Sequence, residues 1–202
     1  MRRIVIAGLL IGAACGSATE TDVRTRTGPT QFAGKHALFW LMDVTLSEIG
    51  ADLADGGTTT AGPMPASELV LSIQDVPMGC GGLDADAGQS TVATLEFDVT
   101  RIRPGAITTG DYPLSPISGS ASSDRTSAAY HELRGVCVAP FGVTDGRMTL
   151  SRLTDQEAQG LLSVVLDDGT EIDGEFIAGR CTNLLGYSPG DPVPVPTPLC
   201  GQ

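Results

Sequence analysis

The chain has 202 residues, enough for one domain with a real core and at most two small ones. A hydrophobic fraction of 41% excludes a disordered chain, and no apolar run is long enough for an internal membrane helix. Acidic residues outnumber basic ones 24 to 12, for a net charge of −12, the opposite of a nucleic-acid binder's balance.

The chain opens with Met1-Arg2-Arg3, followed by an apolar or small run from Ile4 to Ala14 that ends at Cys15. A cationic start, a short apolar stretch and small residues before a cut site form an export signal. The stretch Ile11-Gly12-Ala13-Ala14-Cys15-Gly16 resembles a bacterial lipobox, which implies that Cys15 is lipidated and becomes the first mature residue. Gly12 stands where a Leu is usual, so ordinary cleavage, for instance after Ala18, stays open. We read residues 1–14 as a lipoprotein signal peptide.

Residues 15–31 are rich in Gly, Ser, Thr and charge, with Val23 the only large aliphatic, and are expected to form a flexible tether. A β domain over 32–185 is expected next. A strand across Phe32 to Met42 leads into a short irregular or helical piece. Leu69, Leu71 and Ile73 alternate with Val70, Ser72 and Gln74, Ala93, Leu95, Phe97 and Val99 with Thr94, Glu96 and Asp98, and Met148 and Leu150 with Arg147, Thr149 and Ser151. Further strands are expected at Ala106–Pro113 and Ala128–Ala139, with a turn at Thr144-Asp145-Gly146. Leu161–Asp167 and Thr170–Ala178 flank Asp168-Gly169, which suits a two-residue hairpin turn. That turn would set Val165 opposite Ile172, Ser163 opposite Gly174 and Leu161 opposite Phe176. The pattern predicts an all-β fold, an antiparallel β-sandwich or partly closed barrel of roughly 7–9 short strands. Residues 186–202 hold five prolines between Pro189 and Pro198 and read as an extended Pro-rich tail, strapped to the domain by Cys200.

Five cysteines occur: Cys15, Cys80, Cys137, Cys181 and Cys200. A lipidated Cys15 leaves four, an even number in an oxidising compartment, and hence two disulfides of open connectivity. No Cys-x₂-Cys spacing supports a metal site.

Pro104-Gly105, Gly110-Asp111-Tyr112-Pro113 and Gly174-Glu175-Phe176 followed by Cys181 are, with the lipobox, similar to uncharacterised bacterial lipoproteins of high-GC genomes. One Lys against eleven Arg fits such a genome. The resemblance implies a β-rich, lipid-anchored envelope domain in the outer membrane and transfers no catalytic residue.

Motifs for chemistry are scarce. His36 and His131 are the histidines, and no Gly-x-Ser-x-Gly elbow, His-Glu-x-x-His, P-loop or dinucleotide fingerprint is present. Glu171, Asp173 and Glu175 share one strand face and could converge on Ca²⁺, against the plainer reading of a solvated face. Trp40, Phe39, Tyr112 and Tyr130 could line a sugar platform, with core packing the plainer reading. No catalytic residue and no cofactor is assigned. The expected function is a non-enzymatic binding or interaction module on the envelope, its partners the membrane through the lipid and an envelope protein or glycan. The alternatives are a structural envelope component or a secreted hydrolase.

Overall fold

The computed structural model describes residues 19–46, 64–76, 91–101, 106–114, 125–134 and 137–181, together with Cys200. These residues form no helix. Eleven strands make one sheet: β1 (Thr19–Glu20), β2 (Asp22–Thr27), β3 (His36–Leu46), β4 (Met64–Gln74), β5 (Thr91–Arg101), β6 (Gly110–Pro113), β7 (Arg125–Arg134), β8 (Cys137–Phe141), β9 (Val143–Leu153), β10 (Glu157–Leu166) and β11 (Glu171–Arg180). The order across the sheet is β6-β9-β10-β11-β3-β4-β5-β7-β8, with β1 paired to β3 and β2 to β11.

The expected all-β class is what the chain adopts, but not as a purely antiparallel sandwich. The sheet is single and mixed. Strand β11 shares one edge between two partners. Its first half pairs antiparallel with β2, and its end runs parallel to β3 through Gly179↔Leu38 and Arg180↔Phe39. Every other named pair is antiparallel.

The sheet curls strongly, into a half-barrel, and its connectivity shows why. Strand β8 ends one side of the sheet and β9 is second from the other, yet Gly142 alone joins them. Two distant strands of a flat sheet could not be linked by one residue. The Thr126 hydroxyl of β7 also donates to the Pro113 carbonyl of β6, across the same gap. Bulges between Gln159 and Gly160 and between Val165 and Leu166 add local bend to the β9–β10 pair.

Curling wraps one face of all the long strands around a single core. Phe39, Leu71, Ile73, Leu95, Phe97, Tyr130, Met148, Leu162, Val164, Ile172 and Phe176 lie within it, each at most 2% exposed. Each such side chain contributes roughly 1.5–3 kcal/mol on burial. Phe32, from the link between β2 and β3, enters this interior and meets Tyr130 edge-on at 5.6 Å. Tyr130 in turn meets Phe141 at 5.3 Å.

Several expectations are corrected here. Within the expected tether 15–31, Thr19–Glu20 and Asp22–Thr27 are strands, and Val23 is fully buried in the core. One aliphatic sufficed because β11 offered β2 an open edge to pair with. The strand expected at Ala106–Pro113 shortens to β6. The one at Ala128–Ala139 is two paired strands, β7 and β8. Thr144-Asp145-Gly146 makes no turn and lies inside β9, where Gly146 pairs with Val164.

The largest correction is the β10–β11 register. Val164 pairs with Ile172 and Leu161 with Glu175, one residue from the expected alignment. The loop is three residues, Asp167-Asp168-Gly169. Leu166 N–H donates to the Thr170 carbonyl at 2.9 Å, and Gly169 takes φ +80°, the left-handed position such a loop needs. The Asp168 carboxylate accepts from Thr170 N–H at 2.8 Å and from the Thr30 hydroxyl at 2.5 Å, which clamps the loop to the β2–β3 link. A one-residue slip exchanges the faces of a strand. It sends Leu162, Val164 and Leu166 inward and leaves Leu161 52% exposed.

Candidate functional site

The outer face of β2, β9, β10 and β11 is the open one. Across it, residues level with one another form stripes. Strand β9 contributes Arg147 and Thr149, β10 contributes Ser163 and Leu161, and β11 contributes Asp173 and Glu175, with Arg147↔Ser163↔Asp173 and Thr149↔Leu161↔Glu175 in register. Asp22 and Arg26 of β2 close the far side, and the whole forms an open groove of about 540 Å³.

Charges in the groove are partly committed. Arg26 forms an ion pair with Asp173, whose hydrogen bond raises the guanidinium pKa. Arg24 pairs with Asp22 at 3.1 Å. The Thr149 hydroxyl donates to Asp111 of β6 at 2.6 Å. Arg147, Glu171 and Glu175 form no ion pair among the described residues. The groove therefore presents the Arg147 cation and the Glu175 carboxylate on either side of an exposed aliphatic side chain, Leu161.

Glu171, Asp173 and Glu175 do share the outer face of β11. Asp173 is held by Arg26, and among the described residues no group of three or more His, Cys, Asp or Glu gathers as a metal site would. The aromatics form no platform: Phe39, Tyr112 and Tyr130 are core residues, and Trp40 is 4% exposed.

The outer face of β3, β4, β5 and β7 is different. Leu38, Trp40, Ser72, Gln74 and Thr94 all point away from the core, yet each is 5% exposed or less. Leu38 and Trp40 form a small second cluster with Cys181, against Val70. Burial, then the charge of Glu96, raises the Asp98 carboxyl to about 6, against a hydrogen bond from Ser127 that favours the anion. Burial also raises Glu96 and Glu68, the latter helped by Asp98.

His131 of β7 pairs across from Thr94 and Pro140, and burial lowers its pKa. The Ser127–Asp98 pair lies four residues further along the strands, about 13 Å away. His131 and the Ser127–Asp98 pair are thus not brought together. His36 sits three strands away, level with Gln74, and among the described residues the buried His36 Nδ1 and Gln74 Oε1 have no hydrogen-bond partner.

Cys137 and Cys200 are disulfide-bonded at 2.03 Å, and Cys200 N–H donates to the Val138 carbonyl at 3.0 Å. Cys181 is also disulfide-bonded. Cys15, Cys80, the signal segment 1–14 and the remainder of the Pro-rich tail lie outside the described residues.

The sequence pattern does not mark Arg147, Arg26 or Leu161 as site residues. Leu161 was placed on the buried face by the two-residue turn. The available signal was Asp167, which with Asp168-Gly169 completes a three-residue loop ending in glycine. Comparison with protein-family models, with curated proteins and with solved structures finds no match.

Proposed function

We propose that this chain is a lipid-anchored protein of the bacterial envelope, attached through Cys15 to the outer membrane, and that its β domain is a non-enzymatic binding module. The binding face in this reading is the groove over β9–β11. The observation that carries it is Leu161, 52% exposed between Arg147 on one strand and Glu175 on the other. An exposed aliphatic side chain flanked by uncommitted charges of both signs suits a protein surface better than a sugar, which would call for an aromatic platform. The acidic balance speaks against nucleic acid.

The cysteine count is compatible with the anchor and supplies its test. Of five, Cys137, Cys200 and Cys181 are bonded, so the partner of Cys181 is Cys15 or Cys80. Lipidation requires Cys80 to take that role and leave Cys15 free. Non-reducing peptide mapping should then yield a Cys80–Cys181 peptide. Detergent phase partitioning with intact mass should place wild type in the detergent phase carrying acyl mass, and Cys15→Ser in the aqueous phase. A Cys15–Cys181 peptide, or wild type without acyl mass, would sink the anchor.

A further inference from the structure

We infer that the outer face of β3, β4 and β5 is a docking surface for a segment of this same chain, residues 182–199, which crosses it between Cys181 and Cys200. The inference goes beyond the groove reading and is independent of the lipid anchor.

The two ends of that segment are fixed on opposite sides of the face. Cys181 follows the parallel pairs Gly179↔Leu38 and Arg180↔Phe39. Its N–H donates to the Phe39 carbonyl at 2.8 Å, and its side chain packs with Leu38 and Trp40. Cys200 is bonded to Cys137 and donates its N–H to the Val138 carbonyl of β8, the strand that ends this side of the sheet. The path between them crosses β3, β4, β5 and β7 and shifts along the strands from the level of Trp40 to that of Val138. At ordinary strand spacings that is about 30 Å in a straight line. Residues 182–199 reach about 55 Å at an extended rise, enough to follow a curved outer surface. The inner face is filled by the core, which closes the other route.

Burial marks the same line. Leu38 and Trp40 of β3, Ser72 and Gln74 of β4, and Val92 and Thr94 of β5 point outward, yet each is 5% exposed or less. In register they form a diagonal band that leads from Cys181 towards Val138 and continues through the half-buried His131 and Leu133 of β7. Ser127 and Ala129 of β7, level with Trp40 and Leu38 but off the diagonal, are exposed. Residues 47–63 and 77–90 each join two neighbouring strands at one end of the sheet and have no need to cross it.

The composition of 182–199 suits this surface. Asp191 is its only charge, and Leu184 and Leu185 lie close in sequence to Cys181, at the apolar end of the band. Prolines at 192, 194, 196 and 198 have no N–H, so this stretch cannot add to β8 as a full strand. Its carbonyls still accept, and Ser72, Gln74 and Thr94 supply donors in the middle of the band.

The test is photocrosslinking of the full, disulfide-intact chain with a diazirine analogue of leucine, placed at Leu38 in one protein and at Val92 in another. Both sites keep an aliphatic side chain, and peptide mapping identifies the product. The expected links, apart from those to adjoining strands, join position 38 to the first half of 182–199 and position 92 to the second half. A third protein carries the analogue at Val195, outside the β-domain core, and remains informative if the buried sites do not tolerate it. Its expected link is to β5 or β7. Links from positions 38 and 92 to residues 47–63 or 77–90 in place of 182–199 overturn the inference. So do a link to another chain, a reversed order, or no link from Val195 to this face.

Discussion

The two outer faces of the sheet arise from similar alternating sequence and end in opposite states. On β3 the outward positions Leu38 and Trp40 are 3% and 4% exposed. On β10 the outward Leu161 is 52% exposed. Alternation tells which residues share a face, but not whether that face meets solvent. The outer face of β3, β4 and β5 is buried at Leu38, Trp40, Ser72, Gln74 and Thr94 and opens towards Ser127 and Ala129 of β7, whereas the β9–β10–β11 half has a single buried side.

Leu38→Asp against Leu161→Asp tests that contrast most strongly. The first buries an unpaired carboxylate and should cost more than about 4 kcal/mol, or prevent folding; the second should stay within about 0.5 kcal/mol. Urea unfolding of both decides it, and equal costs would mean that the two faces are not distinct.

Cys137→Ser or Cys200→Ser should cost roughly 2–4 kcal/mol, because the bridge closes a separation of 63 residues. The loss should appear as a lower Tm, and reductant should lower the wild-type Tm at least as far, because it opens the Cys181 bridge as well.

Gly174→Ala should cost about 2–3 kcal/mol. A Cβ at this φ of +152° would come within 1.9 Å of the Asp22 carbonyl oxygen, so β2 must separate from β11. Hydrogen exchange should show protection lost in residues 22–27 first; protection lost uniformly would speak against a local opening.

The half-buried carboxyls provide a pH test confined to the first face. Asp98 is raised from 3.8 to about 6, so the folded state holds its proton more tightly than the unfolded chain. Stability from this group is therefore full below about pH 4, falls as pH rises to about 6, and is constant above. Asp98→Asn should stabilise by about 1–2 kcal/mol at pH 7, allowing for partial solvent screening, and by nothing near pH 4. Thermal melts of the pair across that range measure the difference directly, and a constant offset would contradict it.

The smallest effect is Leu161→Ala. It removes little buried surface and should change stability by less than about 0.5 kcal/mol.

Much of the strand content was legible in the chain. Leu69-Val70-Leu71-Ser72-Ile73 and Ala93 through Val99 occur as strands because period-two alternation matches the pleat directly. The glycine-bearing hairpin at Asp168-Gly169 was also visible. What escaped was decided by contacts distant in sequence. Thr30 and Thr170 hold Asp168 in a three-residue loop, and that one extra residue turned Leu161 outward and built the groove. Val23, alone among polar neighbours, became core because β11 had a free edge.

By itself the sequence determined the β class, the in–out pairing of residues within each strand and the presence of cysteines suited to bridges, since all three follow from local geometry or composition. Only the tertiary structure decided that one mixed sheet would curl on itself, which register β10 would take and which outer face would stay open. Those outcomes depend on edges, loops and covering layers that meet across the whole chain, and no short window of sequence contains both sides of such a contact.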